Sequence, residues 1–197
     1  MIDDALSEQI MDAALERILQ VGIRRSSLDD IAQRIGINRV TIYRRFSGKD
    51  NLVEAVLERE TRRMLAEVTD LAAGLTGVDA QFEEAVLHVL HQTRMHRLVT
   101  QLLAVAPEEA MAFYTVRGAE MVAVGIGYIT RILEHAQARG VIHRYDPAPV
   151  AELIARLAHS LVLTPNGGVD FQDDGQARGF VRNTIVPLMI TGLGTGT

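Results

Sequence analysis

The chain contains no cysteine and no tryptophan. Disulfides, thiolate metal sites and cysteine nucleophiles are therefore excluded, and a reducing compartment fits that usage. Charge-free runs are short as well. The longest, "MVAVGIGYIT" from Met121 to Thr130, is about half the length of a membrane-spanning helix, so no membrane partner is expected. The opening "MIDDALSEQ" is acidic and polar, unlike a secretion signal, and a cytoplasmic protein is expected. Catalytic signatures are missing too. "GIG" at 125–127 lacks the third glycine and the preceding strand of a dinucleotide site, "GLGTGT" at 192–197 lacks the phosphate-loop lysine, and no G-x-S-x-G occurs. No enzyme, no catalytic residue and no cofactor are expected.

What is present is an apolar fraction of 48% over 197 residues, enough for a sizeable core. The net charge of −5 is unevenly spread. From Arg24 to Lys49 seven basic residues (Arg24, Arg25, Arg34, Arg39, Arg44, Arg45, Lys49) stand against Asp29 and Asp30, a local balance of +5. Residues 66–197 hold nine arginines against fourteen acids, a balance of −5. A basic patch on an acidic body points to one face that meets an anion, though a solvated surface with scattered arginines would also produce this count.

Apolar residues recur at intervals of three and four, as in Leu6, Ile10, Ala14, Ile18 and Val21, and no stretch alternates with period two. The chain therefore reads as all-α, about nine helices punctuated by glycine and proline. The first helix is expected at about Ser7 to Val21. A second, short one follows, with Ser27 capping it and Asp30 completing a capping box. Gly36 makes the turn, and Asn38 caps a third helix over Arg39 to Phe46. Ser47 and Asp50 are expected to repeat the capping arrangement at the start of a long fourth helix. Two short helices around a glycine turn in a three-helix unit form a helix-turn-helix. Leu28, Ile31, Ile35, Ile42 and Phe46 can form its core with Ile10, Ala14 and Ile18. Burying Ile42 and Phe46, four apart, turns Arg39, Val40, Tyr43 and Arg44 outward, as a recognition helix in a DNA groove requires.

The run "SLDDIAQRIGINRVTIYRRFSGKDNLVEAVLE" (27–58) resembles the TetR family of transcriptional regulators. Ile31-Ala32, Gly36, Thr41-Ile42-Tyr43, Phe46, Lys49 and Leu52 carry the likeness, which extends over roughly residues 7–60. The remaining residues match the family's helical body by length and pattern only. The resemblance implies a head at residues 1–48 and a ligand-binding and dimerisation body at 49–197. It implies a ligand-responsive repressor that binds a palindromic double-stranded DNA operator as a homodimer. By position, Ser27, Thr41, Tyr43, Arg45 and Lys49 would hold phosphates, and Arg39, Val40 and Arg44 would meet base edges. Val40 and the acidic Asp29 depart from the usual pattern and leave the base preference open.

In the body, Leu153, Ile154, Leu157 and Leu161 form one apolar stripe, and Val181, Ile185 and Leu188 another, with Pro187 expected to kink or end the last helix. The resemblance makes these stripes a dimer interface; intramolecular core is the alternative. Met95, Leu102, Met111, Phe113, Tyr114, Met121 and Tyr128 can line a cavity for an unknown small-molecule effector, or be ordinary core. Glu84, His88, His91 and His96 have a spacing that a divalent metal could use, but histidines on an amphipathic helix are ordinarily surface or hydrogen-bonded groups, and no metal site is expected. A helical small-molecule-binding protein or enzyme without a DNA role is the alternative reading. A helical RNA-binding protein is a third, disfavoured because one aromatic beside the arginines makes no stacking platform.

Overall fold

The computed structural model describes residues 2–95, 97–116 and 118–194, and at 2–4 and 93–95 the backbone alone. Among the described residues every regular element is helical: α1 (Ile2–Arg25), α2 (Leu28–Arg34), α3 (Arg39–Phe46), α4 (Lys49–Ala73), α5 (Val78–Met95), α6 (Arg97–Val105), α7 (Pro107–Val116), α8 (Gly118–Ala138), α9 (Pro147–Leu163), α10 (Asp174–Phe180), a π turn (Val181–Ile185) and α11 (Val186–Thr191). No helix among the described residues is long and apolar enough to cross a membrane.

The chain forms two compact units, 1–63 with 97–112, and 64–96 with 113–197. The first includes α1 to α3, the first part of α4, all of α6 and the start of α7. One core cluster in it is Ile10, Ala13, Ala14, Ile31, Ala32, Ile42, Leu52 and Val56, with Leu28, Ile35 and Phe46 partly buried against it, and Ile18 is buried as well. Local chemistry sets the ends of the short helices. Ser27 Oγ accepts the Asp30 N–H at 3.0 Å, and Asn38 Oδ1 accepts the Val40 N–H at 2.8 Å. Ser47, expected to cap α4, instead closes α3: it sits in the left-handed region at φ 56, its N–H donating to Tyr43 O at 2.8 Å. α1 is longer than expected and is broken at Gly22, where φ is 84. Arg59 on α4 is buried, and Glu8, Asp12 and Glu60 surround it at 2.8–3.1 Å, the compensation a buried guanidinium requires.

The second unit buries Phe82, Val86 and Leu90 of α5 with Leu133 and Ala136 of α8, Val150, Ile154, Ala158 and Leu161 of α9, and Val181, Ile185, Val186 and Met189 of the terminal segment. Asp146 caps α9 by accepting the Ala148 N–H at 3.1 Å, with Pro147 in the first turn. Pro187 does not end the last helix. It has no N–H to offer the preceding turn, and the backbone before it widens into the π turn, where the Val186 N–H reaches Val181 O. Burial pushes the Tyr145 phenol up to about 12, and its hydroxyl donates to Met189 O.

Candidate nucleic-acid interface

α3 divides its side chains as the helical period dictates. Ile42 is fully buried and Phe46 partly so, anchoring the helix to the first unit. Val40 and Tyr43 are 56% and 61% exposed, large apolar groups left in water on a helix that has a core available to it. Arg39 and Arg44 are exposed beside them. An outward face of this composition has cations able to pair with an anion or a base edge, a phenol, and an aliphatic group of the kind that suits a thymine methyl or a sugar.

The expected base-contact residues differ in how they are held. Arg39 Nη1 pairs with Asp29 Oδ2 at 3.0 Å, both side chains being about two-thirds exposed. The acid that looked out of place in the sequence is therefore the partner that orients Arg39. Among the described residues no carboxylate pairs with Arg44. Of the expected phosphate contacts, Thr41 is half-buried and Tyr43 exposed. Arg45 is half-buried, its Nη1 donating to Ser7 Oγ at 3.2 Å. Lys49 Nζ donates to Arg24 O at 2.9 Å. Ser27 is engaged locally: its hydrogen bonds, ahead of those from Arg17, hold the Asp30 carboxyl below its ordinary value. A phosphate at Ser27 would compete with that cap.

The expected effector set falls in both units. Leu102 is buried and Met111 exposed in the first. In the second, Tyr114 is buried with its phenol raised by desolvation, and it meets Phe113 edge to face at 5.3 Å. Met121 is half-buried. Tyr128 is tied by its hydroxyl to Leu65 O at 2.9 Å and Thr69 Oγ1 at 2.8 Å. Met95 and His96 lie outside the residues whose side chains are described. Glu84 turns to Arg178 at 3.2 Å, and His88 lies 3.5 Å from Glu67.

The expected dimer stripes need correction. Ile154, Leu161, Val181 and Ile185 are sealed in the core of their own chain and have no surface to offer a partner. Leu153 is 42% exposed, and Leu157 and Leu188 are half-buried. Only these three of the expected residues present a face, because a stripe read from periodicity does not say which flank of it the chain itself covers.

Sequence reasoning also missed residues joined across long separations: the Asp29–Arg39 pair, the Arg59 cluster, Arg178 and Arg182 on Glu83, and Glu109 on the Arg24 N–H at 2.8 Å. The spacing of four between Arg178 and Arg182 was the one visible signal for the third. The others depend on packing.

Residues 10–56 match the model of bacterial regulatory proteins of the tetR family. The chain is 27% identical over 137 residues to the HTH-type transcriptional regulator SrpR of Pseudomonas putida, a match covering 68% of this chain and 62% of that protein. It is 32% identical over 84 residues to the uncharacterized HTH-type transcriptional regulator TtgW of the same species, covering 42% of this chain and 59% of that one. In both cases the match spans less than two thirds of the relative. Among solved structures, the TetR family repressor AlkX from a Dietzia species has a TM-score of 0.69 at 19% identity, covering 92% of this chain and 96% of that one. The R. erythropolis transcriptional repressor QsdR has a TM-score of 0.66 at 16% identity, covering 98% and 99%. Residues 10–56 thus carry the helix-turn-helix described by the tetR-family model, and the all-helical fold of the chain is the one seen in solved TetR-family structures.

Proposed function

We propose that the protein is a ligand-responsive transcriptional repressor, without enzymatic activity, that acts in the cytoplasm by binding a palindromic operator as a homodimer. The observation that carries this reading is the outward face of α3, where Val40 and Tyr43 remain in water beside Arg39 and Arg44 while Ile42 is sealed. Phosphates would be held by Ser27, Thr41, Tyr43, Arg45 and Lys49, and base edges met by Arg39, Val40 and Arg44. One short helix reads too few base pairs alone. A twofold pair of them, about 34 Å apart, enters successive major grooves and makes the site an inverted repeat.

The pairing face is the exposed flank of α9 and the terminal segment, with Leu153, Leu157 and Leu188. Deleting everything after Asp146 would not test it, since that removes Val150, Ile154, Val181 and Ile185 from the core. Leu153→Asp leaves the core alone and is expected to yield monomers by light scattering at micromolar protein; a dimer of wild-type strength would place the interface elsewhere. The effector is a small molecule that prefers the conformer unable to bind DNA, and a ~100-fold preference biases the equilibrium by about 2.7 kcal/mol. Selection from random duplex DNA tests the reading as a whole. An enriched inverted repeat is expected, and binding without enrichment of any sequence would contradict it.

A further inference from the structure

Lys49 is the only lysine in the chain, and residues distant in sequence set its surroundings. α1 breaks at Gly22, buried and at φ 84. A Cβ there would lie 2.7 Å from Ala106 Cβ and 3.3 Å from Glu109 Oε2, so the corner between α6 and α7 packs on the break as closely as glycine permits. Just past the break the main chain of Arg24 is held from both sides. Its N–H donates to Glu109 Oε2 at 2.8 Å, and its C=O accepts from Lys49 Nζ at 2.9 Å. Two further contacts secure the corner within the same compact unit: Ser26 Oγ donates to Gly22 O at 2.7 Å, and Arg97 pairs with Glu16 at 3.1 Å.

We propose that Glu109 is a positioning residue for Lys49, acting across the main chain of Arg24. The inference rests on the reading of Lys49 as a phosphate contact. An ammonium on a four-carbon stem samples many rotamers, and binding an anion immobilises it. A fixed acceptor removes much of that freedom in advance, and one of its three donors can stay on Arg24 O while another meets a phosphate. Arg24 O is a fixed acceptor only if the segment after Gly22 is fixed. Glycine leaves that segment free, and the charge-assisted bond from the Arg24 N–H to Glu109 ties it down.

The test is a double-mutant cycle on operator affinity with full-length protein, using Glu109→Ala, Lys49→Ala and the double variant. Glu109→Ala is expected to weaken binding about five-fold, the scale of one lost hydrogen bond to a charged group, and to have no further effect in the Lys49→Ala background. Glu109→Gln, which keeps an acceptor oxygen, is expected to bind within about two-fold of wild type. Equal weakening with and without Lys49 would overturn the proposal, as would unchanged affinity in Glu109→Ala. Tighter binding by both Glu109 variants would reduce Glu109 to an acid that repels DNA. Because there is one lysine, lysine labelled with carbon-13 at Cε gives a single side-chain resonance in the free protein. Glu109→Ala is expected to move it toward the position of an unconstrained lysine, and an unmoved resonance contradicts the assignment. If the wild type binds no duplex DNA, the regulatory reading fails while the resonance still tests the positioning.

Discussion

Arg44 on α3 and Arg182 on the π turn are both exposed arginines on short helical pieces. Arg182 is gripped by both oxygens of Glu83, at 2.8 and 2.9 Å, and Arg178 is paired with the same carboxylate at 2.6 Å. Among the described residues nothing acidic pairs with Arg44. The two regions show that a count of basic residues is not a binding footprint. An arginine gripped by both oxygens of a carboxylate spends most of its donors on the fold, whereas one held by a single oxygen, as Arg39 is by Asp29, or by none among the described residues, as Arg44, has donors left to offer. The first unit carries Arg39 and Arg44 exposed on α3, and the second pairs its terminal arginines with Glu83.

The largest effect that sharpens this contrast is expected from the anchor of α3. Ile42→Ala should lower stability by about 3 kcal/mol, read by denaturant unfolding, because a fully buried branched side chain leaves a cavity in a small core. A change below about 1 kcal/mol would mean that α3 is not held by its inward face.

Next comes the clamp in the second unit. Glu83→Ala should lower stability by about 2 kcal/mol at neutral pH, since it removes a buried acceptor of charge-assisted bonds. Those bonds, from Arg182 first, hold the Glu83 carboxyl below its ordinary value against desolvation. A depressed carboxyl contributes stability above its unfolded value and loses it as pH falls through the folded one. The gap between wild type and Glu83→Ala is therefore expected to close as pH drops below the ordinary glutamate range. A gap that stayed constant into acid would remove the ionised carboxylate from the account. Operator affinity should not change in this variant, and a large loss there would blur the division between the two arginine sets.

The smallest effect belongs to Lys49. Lys49→Ala should weaken all duplexes alike and reduce the slope of log affinity against log salt by about one phosphate's worth. Loss at a single base pair would make it a reader rather than an anchor.

How far the sequence reveals these features depends on how local each one is. The helix-turn-helix is legible because its determinants are near neighbours: Ser27 with Asp30, Asn38 with Val40, and the spacing of Ile42 and Phe46. Ser47 misleads because serine suits a helix start, and nothing nearby signals that it adopts the left-handed turn that ends α3. The inclusion of α6 and the start of α7 in the first unit is not visible in the sequence because it depends on contacts such as Glu109 with Arg24, 85 residues apart. The apolar stripes of α9 and the terminal segment are visible as stripes. Periodicity alone does not assign Ile154, Val181 and Ile185 to their own core and Leu153 to the surface.

The central claim is that the outward residues of α3 choose a DNA sequence while the inward ones only hold the helix. Fluorescence anisotropy at fixed salt, with the selected operator and a scrambled duplex, compares the wild type with a variant carrying Arg39→Ala, Val40→Ala and Arg44→Ala. The variant is expected to fold with an unchanged midpoint and keep weak binding to both duplexes, but to lose its preference for the operator by about 100-fold or more. A variant that still prefers the operator as strongly as the wild type would contradict the claim.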